Sequence, residues 1–189
     1  RLAVELHDTL SQNLTGIALA INAGEYVLAQ KSLKSCREEL KNCLWDLRND
    51  ALEETDMNKA IRRTLTPHIG SARLLVRFSL ARNTLTDNTT HTILRILREL
   101  AVNAVRHGHA TEIKVAGGID GQKLAFSVRD NGCGFDPDAC PGVLDGHFGL
   151  QGVRERVASF EGNIQIESTP GKGTRVRVSI NAPQGNDKE

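Results

Sequence analysis

Aromatic residues are scarce in this sequence, which has one Trp, one Tyr and five Phe among 189 residues. A core with so few rings must be filled mainly by aliphatic side chains. No apolar run approaches the roughly 20 residues that a membrane-spanning helix needs, and no signal peptide is visible. The 24 Lys and Arg residues nearly balance the 23 Asp and Glu residues. This composition does not indicate direct nucleic-acid binding, or an anionic membrane surface as the main partner.

The four cysteines do not form a disulfide or zinc pattern, because none of them belongs to a C-x-x-C pair. Cys36 and Cys43 are seven residues apart, on one stripe of a predicted helix, where free Cys packs as a small apolar residue. A reducing cytoplasmic environment is therefore expected. The first residue is Arg1 rather than Met, so we interpret the sequence as a fragment and expect any membrane attachment in the missing N-terminal part.

Residues 1–55 have the periodicity of two amphipathic helices separated by a break at Gly24 and Glu25. The apolar residues of the first helix recur at steps of four, four, three and four: Leu6, Leu10, Leu14, Ile17 and Ile21. Those of the second are Leu33, Cys36, Leu40, Cys43 or Leu44, and Leu47. The pattern predicts an antiparallel helical hairpin. A lone hairpin buries little surface, so we expect it to form a homodimeric four-helix bundle.

Residues 56–183 alternate between helical and strand patterns, and residues 184–189 read as a frayed tail. Helices are predicted over 57–69, 92–107 and about 149–160. Strands are predicted over 73–80, 112–116, 123–129, 163–168 and 174–181, with "GGIDGQ" as the turn between the second and third. The fold class that follows is α+β, with a two-layer α/β sandwich after the helical hairpin.

Two motifs of this second domain carry polar groups that suit a nucleotide. Glu99, Asn103 and His107 are spaced i, i+4, i+8 and share one face of the helix over 92–107. In "VRDNGCGFDP", Asp130 ends a strand, and Gly132 and Gly134 allow a sharp turn and a close approach to a ligand. A solvated polar face and an ordinary tight turn are the commoner explanations of such patterns taken singly.

Two glycine motifs follow. In "GHFGLQGVRERV", Gly149 and Gly152 open a helix, whose free N–H groups suit phosphate. In "TPGKGT", Gly171 and Gly173 bracket a turn, and Thr174 begins a strand that could reach back under Asp130. A ligand-free loop and a plain hairpin turn are the alternatives. The occurrence of all four motifs in this order within one α+β domain favours a nucleotide site.

From Thr92 to Ile180 the sequence resembles the ATP-binding domain shared by gyrase-type topoisomerases, heat-shock chaperone ATPases, mismatch-repair ATPases and histidine kinases. The stretch "ELHDTLSQ" near the N-terminus is similar to the phosphoacceptor helix of two-component sensor histidine kinases. The matching subfamily pairs with LuxR/NarL-type response regulators and carries H-D-x-x-x-Q. One departure is Asn49-Asp50 after "DLR", where the subfamily often has a proline.

The resemblance implies a role for each residue of the N-terminal motif. His7 would be the nucleophile that accepts phosphate, because a neutral imidazole has an unprotonated nitrogen near pH 7. Asp8 would fix the tautomer and take up the proton. Gln12 would orient water for dephosphorylation of the regulator.

In the second domain the resemblance implies ATP and Mg²⁺, with Asn103 as the metal-coordinating residue. Asp130 would bind the adenine amine with support from Thr174. A lid over 135–148 would close over the nucleotide. Phosphate would be held by Gly149, Leu150 and Gly152 and flanked by Glu99, Arg106 and His107.

The implied activity is autophosphorylation of His7, transfer to an aspartate of a response regulator, and regulator dephosphorylation. Two other readings stay open at this point. One is a non-catalytic scaffold that binds ATP and regulator. The other is a serine kinase that inhibits a sigma factor, although that class lacks a phosphoacceptor helix of the "ELHDTLSQ" kind.

Overall fold

The computed structural model describes residues 14–30, 32–33, 36, 54–80, 84–120, 123–137 and 148–181. The chain divides into two compact units, Arg1–Asn49 and Asp50–Glu189. Within the described residues, no helix combines the length and apolar character that crossing a membrane requires.

The described part of the first unit contains the predicted helical break. One helix covers 14–22, a turn follows at 23–24, and helical structure resumes at 26. Gly24 has φ 77°, a conformation that favours glycine. Four residues are buried together: Ile17, Ala20, Ala29 and Cys36. Seven large apolar residues are exposed: Leu14, Leu19, Ile21, Tyr26, Val27, Leu28 and Leu33.

The second unit is a five-stranded sheet with helices on one face, which confirms the predicted α+β class. The helices are α1 (Met57–Leu65, continued by a 3₁₀ turn at Thr66–His68), α2 (Asp87–Arg106) and α3 (Phe148–Ala158). The strands are β1 (Arg73–Ser79), β2 (Glu112–Asp120), β3 (Lys123–Asp130), β4 (Asn163–Ser168) and β5 (Thr174–Asn181). The strand order is β1-β2-β3-β5-β4, in which only β1 and β2 pair in parallel.

The core lies between the helices and one face of the sheet, because the strands alternate buried and exposed residues. It is aliphatic, as the scarcity of aromatic residues predicted. The apolar face of α2 is buried, and it consists of Ile93, Leu97, Leu100 and Ala104. The inward side chains of β3 and β5 are also buried: Leu124, Phe126, Val128, Val176, Val178 and Ile180.

The predicted turn "GGIDGQ" was placed too early, since β2 continues to Asp120. Gly117 pairs with Phe78 of β1 and Phe126 of β3 across the sheet. A Cβ at Gly117 would collide with the ring of Phe78 and would come within 2.7 Å of the Phe126 Cβ. This glycine therefore provides space for two aromatic side chains, with ring centroids 6.5 Å apart, and does not reverse the chain.

The free edge of β1 is closed by side chains of α1. The Asn58 amide accepts from the Phe78 N–H at 2.8 Å and donates to the Phe78 carbonyl at 2.9 Å. One turn later, Arg62 donates to the Leu74 carbonyl at 3.3 Å. These contacts satisfy edge groups that could otherwise pair with another strand.

Candidate functional site

A cavity of about 370 Å³ opens between α2 and the ends of β3 and β5. Its lining combines an apolar wall with a few polar groups, as small-molecule sites usually do. The apolar and small residues are Leu100, Ala104, Gly108, Val128, Gly134, Phe135, Leu150 and Val176. The others are Asn103, His107, Asp130, Cys133 and Thr174. Six predicted site residues therefore meet here: Asn103, His107, Asp130, Gly134, Leu150 and Thr174.

Asp130 is half-buried at the end of β3, and its two carboxylate oxygens have different surroundings. Oδ1 accepts from the Gly132 N–H at 2.8 Å and from the Thr174 N–H at 3.2 Å. Oδ2 has no hydrogen-bond partner among the described residues. One oxygen thus holds the loop and β5 in place, and the other is free to accept from a ligand.

The glycines after Asp130 are required by close backbone packing. A Cβ at Gly132 would lie 2.5 Å from the Gly108 carbonyl oxygen. Gly134 has φ 61°, and a Cβ there would collide with the Thr169 carbonyl. The D-x-G-x-G motif therefore allows the loop to pack against the end of α2 and against the β4–β5 turn.

Gly171 and Gly173 both have positive φ in the β4–β5 turn, at 80° and 74°. Gly173 is buried, and a Cβ there would collide with the Asp130 carbonyl oxygen. Gly171 is exposed and donates its N–H to the Cys133 carbonyl at 2.6 Å. Neither glycine lines the cavity, so both support the site through the backbone rather than through direct ligand contact.

Ser168, which the motifs did not indicate, links Thr174 to the start of the predicted lid. Its hydroxyl accepts from the Phe135 N–H at 2.9 Å and lies 3.0 Å from the Thr174 hydroxyl. It also donates to the Gly173 carbonyl at 3.2 Å. Such a role depends on side-chain placement at the end of β4, which strand periodicity does not predict. Residues 138–147, which include most of the predicted lid, lie outside the described residues.

Only some of the polar residues predicted on α2 reach the cavity. Asn103 and His107 line the cavity, whereas Glu99 and Arg106 do not. Partial burial is the main cause that lowers the pKa of His68. The guanidinium groups of Arg98 and Arg106 lower it further. The Arg106 charge therefore acts on the 3₁₀ turn after α1, and its contact with phosphate stays a prediction.

The glycines of "GLQG" occupy different positions in α3, which begins at Phe148. Gly149 and Leu150 are its second and third residues, so their N–H groups are among the four without a partner in the helix. Gly152 is the fifth residue, and its N–H is used within the helix. The prediction that Gly152 donates to phosphate does not fit these bounds. A Cβ at Gly152 would instead come within 3.1 Å of the Arg156 guanidinium.

Several residues of the cavity were not predicted from the sequence. Leu100, Val128 and Val176 read only as core positions of a helix and two strands. Cys133 reaches the cavity because its N–H donates to the Gly108 carbonyl at 2.7 Å. The predicted His7, Asp8 and Gln12 lie outside the described residues.

The cavity fits an adenine nucleotide by its chemistry. Its volume is near the lower end of the usual range for ligand sites, about 300–1,000 Å³, and suits a base better than a whole nucleotide. The apolar wall can cover the faces of a base, and the free oxygen of Asp130 can accept from an amine. Among the described residues, no three His, Cys, Asp or Glu side chains converge to hold a metal. A magnesium ion beside Asn103 would therefore draw most of its ligands from phosphate and water.

Comparison with known proteins assigns this arrangement to a class. Residues 88–184 match the sequence model of the family described as histidine kinase-, DNA gyrase B- and HSP90-like ATPase. The chain therefore belongs to this family of ATPases. Residues 1–55 match a second model, described as histidine kinase. The two matches together give the chain the domain composition of a sensor histidine kinase core.

Individual relatives agree with this assignment. The chain is 28% identical over 193 residues to the sensor histidine kinase LiaS of Bacillus subtilis, covering 95% of this chain and 53% of that protein. It is 26% identical over 201 residues to the signal transduction histidine-protein kinase/phosphatase DegS of Brevibacillus brevis, covering 95% of this chain and 50% of that protein. The chain thus spans about half the length of these two relatives.

A solved structure shows the same fold at low sequence identity. The blue-light activated histidine kinase of Erythrobacter litoralis superposes with a TM-score of 0.63 at 16% identity, over 98% of this chain and 61% of that chain.

Proposed function

We propose that this chain transfers the terminal phosphoryl group of ATP to His7. The observation that carries the proposal is the cavity lined by Asp130, whose carboxylate has one oxygen without a hydrogen-bond partner among the described residues. A scaffold that binds ATP and regulator would share this cavity, so the N-terminal domain is what favours transfer over mere binding. The match of residues 1–55 to a histidine kinase model supplies the domain that contains His7.

The residues would divide the work between binding and transfer. Asp130 accepts from the adenine amine, Asn103 contributes one ligand to magnesium, and the N–H groups of Gly149 and Leu150 face the phosphates. An imidazole nitrogen of His7 attacks the terminal phosphorus, the bond to the bridging oxygen breaks, and ADP leaves. Asp8 accepts the proton that the imidazole releases.

The homodimer and the regulator belong to the same proposal. The exposed apolar residues of the first unit, from Leu14 to Leu33, offer a surface that a second copy can cover. His7 then passes its phosphoryl group to an aspartate of a NarL-type response regulator. Gln12 orients water for the reverse activity, and the name of the relative DegS, a kinase/phosphatase, supports this part of the proposal.

The test is incubation of the chain with magnesium and γ-labelled ATP, beside His7→Gln. We expect label that is lost in acid, stable in base and absent from His7→Gln. Label retained on the variant would refute His7 as the acceptor. ATP binding without any label would favour the scaffold. Base-labile, acid-stable label transferred to a serine would favour the kinase that inhibits a sigma factor.

The phosphatase part is tested separately with phosphorylated regulator. Gln12→Ala should phosphorylate His7 at the wild-type rate but dephosphorylate the regulator more slowly. Unchanged regulator turnover would remove Gln12 from this role and leave the kinase assignment intact.

A further inference from the structure

The outer face of the sheet, opposite the helices, is strongly basic. Alternation along the strands puts seven basic side chains on this face: Arg73, Arg77, Lys114, Lys123, Arg129, Arg175 and Arg177. The acidic residues of the same face whose side chains the structure describes are Glu112 and Glu167, and Asp120 at the end of β2 pairs in register with Lys123. The described residues of this face thus carry an excess of positive charge, whereas the chain as a whole has a formal charge of +1.

Glu112 and Glu167 neutralise only part of this face. Glu112 lies 2.8 Å from Lys114 and 3.8 Å from Arg73, and these cations lower the pKa of its carboxyl group. Glu167 pairs with Arg177. The remaining four have no acidic partner within 4.0 Å among the described residues: Arg77, Lys123, Arg129 and Arg175.

Three of the cations stand directly opposite one another on neighbouring strands. The register pairs Lys114 with Arg129 and Arg129 with Arg175, and Glu167 stands opposite Arg175 at the end of the row. Neighbouring strands are about 4.8 Å apart, and like charges opposite each other destabilise a sheet. A row of this kind is favourable when an anion lies across it.

The same face has two open, shallow hollows. One of about 520 Å³ is bordered by the cations Arg129, Lys172 and Arg175 and by the carboxylate of Glu167. A second hollow of about 470 Å³ also has Arg175 in its lining, so the two hollows adjoin at this residue, and we call them together the trough. The floor of the second hollow is lined by small residues: Ala116, Gly118, Ala125, Ser127 and Ser179. From Arg175 to Ser179 the strand extends about 13 Å, the length of about four extended residues.

We propose that this trough binds an extended, acidic segment of a partner protein. Charge complementarity identifies the occupant as anionic, and the shape identifies it as a chain. A main chain can lie on the small side chains of the floor while carboxylates reach the row of Lys114, Arg129 and Arg175.

The proposal can be tested with a fluorescein-labelled hexaglutamate peptide and the whole chain. Fluorescence anisotropy should show binding that weakens as salt rises, and no binding of the matching hexaglutamine peptide. Arg129→Glu should weaken binding about tenfold or more. Lys59→Glu makes the same charge change at an exposed position of α1. This variant should bind the peptide as the wild type does.

Arg129→Gln provides a milder change if the charge reversal disturbs folding, and ATP-analogue binding reports whether each variant is folded. Equal binding by wild type and Arg129→Gln would overturn the proposal. So would failure of the peptide to bind while vesicles containing phosphatidylglycerol bind in an Arg129-dependent way, because the occupant would then be a membrane.

Discussion

At the residue scale, the two carboxylate oxygens of Asp130 have different roles. The first is structural, because Oδ1 joins the loop after β3 to the start of β5 through two backbone N–H groups. The second is the proposed recognition of adenine by Oδ2. The resemblance to a known family predicted the recognition of adenine. The structural role could not be predicted, because it depends on the distance between two loops that are 44 residues apart in sequence.

The variant Asp130→Asn separates the structural role of Asp130 from its proposed role in adenine recognition. The amide oxygen can still accept from Gly132 and Thr174, so we expect little change in thermal stability. The amide nitrogen would face the adenine amine as a second donor, and ATP affinity should fall by about 10- to 100-fold. Calorimetry with a non-hydrolysable analogue measures the loss. Glu155→Gln removes an exposed carboxylate of α3 and serves as the control.

We expect His68, an exposed residue, to add a pH dependence to the stability of the fold. Burial, Arg98 and Arg106 lower its pKa in the folded state below the ordinary value of 6.5. The unfolded chain then binds more protons, so the stability present above pH 6.5 is lost as the pH falls towards the folded pKa. His68→Gln should lose less stability than the wild type between pH 7.5 and pH 5, measured by urea unfolding at about these values.

Arg98→Gln offers an independent check on the cause. Removing this charge should raise the pKa of His68 in an NMR titration. An unchanged titration would assign the shift to burial alone.

At the element scale, periodicity predicted the strands better than the start of α2. The bounds of β4 and β5 are confirmed, since alternating side chains run up to a glycine turn. Helix α2 begins at Asp87, five residues before the predicted Thr92. Its first turn is polar and has no apolar periodicity. It is fixed by Thr86, which accepts from the Thr89 N–H at 3.2 Å.

Asn58 is a residue of α1 whose loss should destabilise the packing of this helix against the edge of β1. Asn58→Ala would leave the N–H and the carbonyl of Phe78 without partners, and should lower the free energy of unfolding by about 1–3 kcal/mol. Urea denaturation measures this change. Asn58→Asp keeps the acceptor and loses the donor, so its stability should lie between those of the wild type and the alanine variant.

At the scale of the whole molecule, the first unit leaves much apolar surface uncovered. Leu19 is 64% exposed and Val27 is 84% exposed. The sequence predicted a seam but could not show which of its residues pack within one hairpin. Ile17 is buried within the unit, whereas Leu14 and Ile21 of the same seam are exposed. A charge at an exposed seam position should therefore affect association rather than the hairpin itself.

Ile21→Glu should convert the proposed dimer to a monomer in sedimentation experiments. The neighbouring Asn22 is also exposed, and Asn22→Glu adds the same charge outside the apolar seam, so it should remain dimeric. A monomeric wild type would show that the exposed apolar residues serve another partner.

The free oxygen of Asp130 also has a consequence for the choice between purine nucleotides. Adenine presents an amino group where guanine presents a carbonyl. A carboxylate that can only accept would attract the first and repel the second. With Oδ1 held by two N–H groups, the carboxylate cannot turn away to relieve that repulsion. The hydrogen bonds that close the loop thus also make the proposed site selective for ATP over GTP, a preference that competition between the two nucleotides would measure.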